Sequence, residues 1–174
     1  ETPWVLQAKN EAEQKRNIAL LFDMIKMSDQ LSNSYAKLKQ MQSSNGGFVW
    51  FTGGPDDRYM TQYIITGIGH LKKLNAIAKG QEANMKSILA SALPYLDRKI
   101  KEDYDNLIKN KTDLKKYTPG YTTIQYLYMR SFFPETKIAE ASMTAYTYFR
   151  GRAQQTWVGQ SKYMQGMIAL AVHR

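Results

Sequence analysis

The stretch Gln42-Ser-Ser-Asn-Gly-Gly-Phe-Val-Trp-Phe-Thr-Gly-Gly-Pro-Asp-Asp-Arg-Tyr-Met-Thr-Gln-Tyr63 decides the fold of this chain. It places four glycines, a proline and several aromatic rings between two segments of helical periodicity. Asn45-Gly46-Gly47 is a strong turn signal, because glycine accepts positive φ without steric cost. Gly53-Gly54-Pro55 is a second breaker, after which Asp56 or Asp57 can cap a new helix. The stretch therefore predicts an ordered loop between two helices.

Three rings of this loop, Phe48, Trp50 and Phe51, lie too close together for all of them to face water. We expect at least one ring to enter the core and to pin the loop there. Trp50 is the candidate, and a buried indole would make Trp50→Ala costly, by about 3–5 kcal/mol. The favoured interpretation is a fold determinant, while a ligand-facing loop remains the alternative.

The rest of the chain shows helical periodicity and no sustained strand pattern, which predicts an all-α protein of about seven helices. Helical patterns run from Asn10 to about Lys26, from Ser28 to Met41, from Arg58 to Leu74, and from about Met85 to Ile108 with a kink or break near Pro94. Later patterns follow Thr122 or Thr123 as caps, follow Thr136 to about Gly151 with a continuation to Gly159, and run from about Gln160 to Val172. The predicted inward face of the third pattern consists of Met60, Tyr63, Ile64, Gly67, Ile68 and Leu71. We expect Gly67 to permit close approach of a neighbouring helix, and Ala78-Lys79-Gly80 to end this segment.

Length and composition bound the class of protein. The 174 residues suit one domain, predicted to span 1–174, and the 43% hydrophobic and 22% charged shares are those of a folded globular chain. The absence of cysteine excludes disulfides, thiolate metal sites and cysteine catalysis within the segment. No apolar run approaches the roughly 20 residues that span a bilayer. The chain opens without methionine, so we expect an excerpt of a longer protein.

The net charge of +9 comes from lysines that are spread along the chain. No arginine-rich arm or nucleic-acid motif accompanies them, so a solvated basic surface is favoured over nucleic-acid binding. We expect this surface to face an acidic neighbouring domain.

Three segments together resemble the alpha-2-macroglobulin family, in particular the helical thioester domain of its bacterial, Bacteroidetes-type members. The central one is a helix ending in Met-Gln, followed by Asn-Gly-Gly-Phe-x-Trp, Gly-Gly, and Asp-Arg-Tyr-x-Thr-x-Tyr opening the next helix. The others are the start of the chain, with Thr2-Pro3-Trp4-Val5-Leu6, and its end, Tyr163-Met-Gln-Gly-Met-Ile-Ala-Leu-Ala-Val-His-Arg174. The resemblance runs nearly from the first residue to the last.

The resemblance implies part of an α/α toroid, with apolar seams where further helices would pack. It also implies an exported endopeptidase inhibitor, periplasmic or membrane-associated, that traps proteases after cleavage of a bait region. Family members form an internal thioester from a cysteine and a glutamine three residues apart. This chain has no cysteine, so the resemblance places any thioester upstream of Glu1. Some members lack the thioester, and the residues here do not distinguish the two cases.

Candidate catalytic residues are few. His70 lies beside Gly67 near the predicted inner face, and a structural histidine is favoured over a general base because no carboxylate or nucleophile is suitably spaced. His173 has no such partner either, and two histidines make a zinc or di-iron site unlikely on spacing grounds. Asp57 is better explained as a helix cap.

Other carboxylates and the tyrosines allow more than one interpretation. The cluster Asp97, Glu102, Asp103 and Asp105 alternates with basic residues, which favours a solvated, internally paired helix face over paired catalytic carboxylates. The tyrosines at positions 121, 126, 128, 146 and 148 fit core positions with wet hydroxyls better than a sugar groove.

The leading hypothesis is a non-enzymatic scaffold segment of a protease trap, with no cofactor, no metal and no catalytic residue of its own. Its partners would be neighbouring domains of the parent chain and, through the parent, target proteases, with membrane contact only through an anchor of the parent. The alternatives are an α/α-toroid enzyme acting on polysaccharide or lipid, with Asp57, His70 and the tyrosines lining a cleft, or a helical protein-binding module. A deep pocket with convergent carboxylates would favour the enzyme, and a closely packed inner face the scaffold.

Overall fold

A computed structural model describes residues 11–77 and 80–174, without the side chains of Glu11, Ser28 and Leu31. The chain divides into two compact units, residues 1–40 and 41–174. The described part of the first unit is one helix, α1 (Glu11–Gln40). The two helical patterns predicted here join into this helix, because neither glycine nor proline interrupts residues 11–40.

The second unit is mostly helical, as predicted, with one small hairpin. Its elements are β1 (Phe48–Val49), β2 (Asp56–Asp57), α2 (Arg58–Lys73), α3 (Glu82–Lys109), α4 (Tyr121–Arg130), α5 (Glu140–Thr156), a 3₁₀ turn (Trp157–Gly159) and α6 (Lys162–His173). The two strands pair antiparallel, Phe48 with Asp57 and Val49 with Asp56. The described residues thus hold six α-helices, where about seven were predicted.

The helices of the second unit alternate between two layers. α4 packs between α2 and α6, and these three helices form one layer. α3 and α5 pack on each other and against this layer, α3 on α2 and α4, and α5 on α4 and α6. The core between the layers includes Ile65, Leu96, Ile100, Tyr126 and Phe149, all fully buried. The even-numbered helices thus share a face that α3 and α5 do not cover.

The buried face of α2 differs from the predicted one. The structure buries Thr61, Gln62, Ile65, Ile68 and Gly69, whereas Tyr63, Gly67 and Leu71 are exposed. Polar side chains explain the difference. The Thr61 hydroxyl accepts a hydrogen bond from the Phe48 amide (2.8 Å) and donates to the Asp57 carbonyl (2.6 Å). The Gln62 amide donates to the Thr122 carbonyl (3.1 Å), so both polar residues are satisfied inside and rotate the helix.

The glycine that permits close approach is therefore Gly69 and not Gly67. A Cβ at Gly69 would lie 2.6 Å from Cγ of Phe132, which packs against the helix backbone there. A Cβ at Gly67 would meet no atom within 4 Å. The prediction for Gly67 was wrong because it followed the wrong helix face.

Helix ends follow the sequence only in part. Asp57 is the N-cap of α2, as predicted, and its carboxylate accepts from the Met60 amide (2.6 Å). The predicted threonine caps are wrong: α4 begins after Gly120 and α5 after Ala139, both without a side-chain cap. α3 runs unbroken through Pro94, so no break occurs there. The predicted stop of α2 at 78–80 falls partly outside the described residues.

Candidate functional site

A groove of about 720 Å³ lies on the face formed by α2, α4 and α6. Five tyrosines dominate its lining: Tyr59, Tyr63, Tyr121, Tyr128 and Tyr163. On α2 the lining residues lie opposite the buried Ile65 and Ile68. The groove therefore belongs to the face of the layer that points away from the core.

Two glycines give the groove its depth. Gly67 on α2 and Gly166 on α6 both line it, and an added Cβ at either would have no atom within 4 Å. Tyr59 and Tyr63 stand one helical turn apart on α2, with Gly67 one turn further. The tyrosine rings therefore form the walls of the groove. The two glycines lie at its floor, because they carry no side chain that would fill it.

Three of the tyrosine rings form a row across the helices. The ring centroids of Tyr59 and Tyr121 are 6.5 Å apart, and those of Tyr121 and Tyr163 are 6.3 Å apart with the planes inclined by 19°. Burial raises the pKa of the Tyr121 hydroxyl, and its hydrogen bond with Tyr163 raises that pKa further. The Tyr121 hydroxyl therefore stays protonated near neutral pH, so it can both donate and accept hydrogen bonds.

His70 lies at one end of the groove and is exposed, rather than near the buried face as predicted. Its Nε2 is 3.2 Å from the Tyr128 hydroxyl, and its ring centroid is 4.9 Å from that of Phe132. Neither partner is a carboxylate or a nucleophile paired for catalysis. The imidazole is held by aromatic neighbours and lines the groove.

The charges of the groove are one-sided. Lys162 lines it, whereas none of its lining residues is a carboxylate. Asp57 lies outside the groove, because its side chain caps α2. The cleft of Asp57, His70 and tyrosines that the enzyme hypothesis requires is therefore not assembled. Among the described residues no group of three or more His, Cys, Asp or Glu side chains is placed to hold a metal ion.

Only two of the five tyrosines considered from the sequence line the groove, namely Tyr121 and Tyr128. Tyr126 is buried and donates to Asp97 (2.6 Å), and Tyr148 donates to the Leu114 carbonyl (3.0 Å). Sequence reasoning missed Tyr59, Tyr63 and Tyr163. The available signal was the spacing Tyr59, Tyr63, Gly67 and His70, which repeats one aromatic-or-small position per turn of α2.

The carboxylate cluster of α3 splits into two kinds of pair. Glu102 and Asp105 pair with Lys99 and Lys101 on the same helix, as predicted. Asp97 contradicts the prediction of a solvated face, because it is buried and pairs with Arg130 of α4 at 3.2 Å. Burial raises the pKa of Asp97, against the opposing effect of the Arg130 charge. This pair ties the two helix layers together and lies apart from the groove.

The glycine-rich loop, residues 42–57, has its own dense set of contacts. The Gln42 amide donates to the Ile88 carbonyl (3.0 Å), and Arg98 donates to the Asn45 carbonyl (2.8 Å). Asp56 accepts from Asn45 (3.0 Å) and from the Tyr95 hydroxyl. These bonds fix the loop on α3 from both of its ends.

The three rings of the loop separate sharply. Phe48 is fully buried, whereas Trp50 and Phe51 are 61% and 64% exposed. The prediction that at least one ring enters the core is confirmed for Phe48, and the choice of Trp50 was wrong. Both residues of β1 are buried, and the Phe48 amide donates to the buried Thr61 hydroxyl, which holds Phe48 against α2, whereas Trp50 and Phe51 follow the strand and face solvent.

No family model, curated protein or solved structure matches this chain. Within the described residues, no helix is long and apolar enough to cross a membrane. The site must therefore be interpreted from its own chemistry. That chemistry comprises aromatic faces, tyrosine hydroxyls, one lysine and one histidine, without paired acids, so it suits binding better than hydrolysis by a carboxylate pair.

Proposed function

We propose that this chain is a helical scaffold segment of an alpha-2-macroglobulin-like endopeptidase inhibitor, a protease trap. The observation that carries the proposal is the use of the loop 42–57, the central segment of the resemblance. Hydrogen bonds of the Gln42, Asn45 and Asp56 side chains and of the Phe48 backbone hold the loop on α3 and α2, and no loop residue lines the groove. A motif that serves packing is what a scaffold requires.

The close approach at Gly46 supports the same role. Gly46 has φ of +99°, and a Cβ there would lie 2.1 Å from the Ser91 carbonyl oxygen of α3. Only glycine fits both the conformation and the space. The Asn-Gly-Gly of the motif thus has a structural reason that involves no ligand.

The alternation of layers is compatible with an arc of an α/α toroid. α2, α4 and α6 would belong to the inner ring, and α3 and α5 to the outer ring. Further helices of the parent would pack at the ends of this arc, where Trp157 and Val158 are exposed. In this proposal the toroid is a rigid unit that shields a reactive group at a domain interface until bait cleavage releases it.

The segment itself performs no chemistry in this proposal. Any thioester would lie in the parent chain, in the periplasm or at its membrane, and the basic surface would contact neighbouring domains or proteases. Such contacts should weaken with salt, because exposed charges are screened over about 10 Å at 0.1 M.

The test is digestion of the full-length protein that carries this segment with a broad-specificity protease. Bait cleavage should compact the particle in small-angle scattering, and the protease should co-elute with it, covalently or sterically. The same protease with its active site blocked is the control and should cause neither change. If cleavage produces neither compaction nor retention, the inhibitor proposal is wrong.

The enzyme alternative keeps one supporting observation, the groove itself, and lacks the carboxylates it requires. It predicts turnover of a polysaccharide or lipid that His70→Ala abolishes. The scaffold proposal predicts no turnover with either version of the protein. Hydrolysis measured on the wild-type chain and lost in the variant would replace one proposal by the other.

A further inference from the structure

The groove of α2, α4 and α6 has the size and composition of a ligand site, and the scaffold role gives it no task. Its volume of about 720 Å³ lies within the roughly 300–1,000 Å³ of small-molecule sites. It runs over three adjacent helices on one face of the layer. It is therefore not a seam at the lateral end of the arc, where a further helix would pack.

The tyrosines require a ligand that is apolar on its faces and polar at its edges. The row Tyr59, Tyr121 and Tyr163 offers ring faces and hydroxyls together. An alkyl chain would cover these hydroxyls without giving them hydrogen-bond partners, which is costly. A sugar ring presents a C–H face to an aromatic ring and carries hydroxyls around its edge, so it satisfies both requirements.

The charge of the groove selects among sugars. No carboxylate of the described residues lies within ion-pair distance of Lys162, and no acidic side chain lines the groove. A second depression, which shares Leu170 with the groove, is lined by the cations Lys73 and Arg174, while its acidic residue Glu135 is paired with Lys72. An acidic ligand would therefore meet uncompensated positive charge along this face.

From these observations we propose that the groove binds an acidic oligosaccharide without hydrolysing it. The tyrosine row stacks on consecutive sugar rings, and Lys162 pairs with a carboxylate or sulfate of the ligand. Hydrolysis does not follow, because glycoside hydrolysis ordinarily uses two carboxylates about the scissile bond and the groove lining provides none. This site is independent of protease trapping and would add glycan recognition to the segment.

Titration calorimetry of the 174-residue chain at low salt tests the proposal with two acidic probes, tetragalacturonate and a heparin-derived tetrasaccharide. The methyl ester of tetragalacturonate is the neutral match of the first probe. At least one acidic probe should bind. If tetragalacturonate binds, it should bind more tightly than its methyl ester. Raising the salt concentration should weaken binding.

Variants assign the binding to the groove. Tyr63→Ala and Tyr163→Ala remove exposed rings and should weaken binding by roughly tenfold each, whereas Phe51→Ala removes an equally exposed ring elsewhere and should not. Lys162→Gln should weaken acidic probes by about threefold to fivefold and leave the ester unchanged. Lys115→Gln changes the net charge equally and is its control. Circular dichroism checks that each variant is folded.

Several outcomes would overturn the proposal. The first is that neither acidic probe binds. The second is that the acid and its ester bind equally and Lys162→Gln changes neither. The third is that the tyrosine variants bind the probes as tightly as the wild-type chain does. A proline-rich peptide or anionic vesicles that bind more tightly, with the same dependence on Tyr63 and Tyr163, would assign the groove to a different occupant. Hydrolytic release of reducing ends from the probes would contradict binding without hydrolysis.

Discussion

The loop 42–57 and the groove of α2, α4 and α6 are opposites in how they use their side chains. In the loop, Asn45, Asp56 and Gln42 bond to groups of the same fold, and Gly46 touches the backbone of α3. In the groove, exposed rings surround two glycines at which an added Cβ would meet no atom within 4 Å. The conspicuous motif is therefore structural, while the inconspicuous, scattered tyrosines form the cavity.

The largest effect that tests this contrast is expected for the two rings of the loop. Phe48→Ala should lower the free energy of unfolding by about 3–5 kcal/mol, because it removes a fully buried ring. Trp50→Ala should change it by less than about 0.5 kcal/mol, because its ring is exposed. Urea unfolding of both variants measures the difference. A Trp50 effect as large as that of Phe48 would show that the indole is buried after all.

The two positive-φ glycines of the loop should come next. Gly46→Ala forces a Cβ to within 2.1 Å of the Ser91 carbonyl at φ of +99°, and should cost about 2–4 kcal/mol. Gly53 has φ of +84° but no atom within 4 Å of a Cβ, so Gly53→Ala should cost only about 1 kcal/mol. Thermal unfolding compares the two variants. Equal decreases in Tm would mean that the close contact of Gly46 with α3 adds nothing to the cost of its substitution.

Alanine substitutions at two glycines of α2 should change the free energy of unfolding in opposite directions. Gly69→Ala places a Cβ against Phe132 and should destabilise by about 1–3 kcal/mol. Gly67→Ala meets open space on an exposed helix face and should stabilise by up to about 1 kcal/mol. Chemical unfolding curves of the pair decide which face of α2 is buried. Stabilisation by Gly69→Ala would return the helix to the orientation predicted from its apolar pattern.

The smallest effect concerns pH. Hydrogen bonds from Tyr95 and Asn45 lower the pKa of Asp56 below its ordinary value of 3.8. The ionised carboxylate therefore stabilises the fold above about pH 4, and this contribution is lost as the pH falls through the lower folded pKa. Asp56→Asn should be slightly less stable than wild type at pH 7, with a difference that shrinks toward pH 2. A constant difference across this range would exclude the carboxylate as its cause.

Much of the fold follows from local chemistry that the sequence displays directly. Asp57 begins α2, the glycines break the chain where the loop forms, and the all-α class follows from periodicity. The orientation of α2 does not follow, because Thr61 and Gln62 find partners on other elements, and such partners are not visible from local pattern. The prediction treated polar residues as outward-facing. It therefore assigned the wrong buried face to α2 and placed Gly67 on that face.

The candidate site was less predictable than the fold. Its rings lie on three helices and up to 104 positions apart in the sequence, and only packing brings Tyr59, Tyr121 and Tyr163 together. Asp97 was missed for a similar reason, since its neighbours along α3 are basic but its partner Arg130 lies on α4. Side chains that act together across helices leave no spacing rule in the sequence.

Gly67 and Gly166 carry a consequence for engineering. Each lies in a helix at a position where packing would accept a side chain. Alanine at either position would therefore stabilise the helix by roughly 1 kcal/mol relative to glycine. A laboratory selection for thermostability alone would thus tend to fill the groove while improving the stability of the fold.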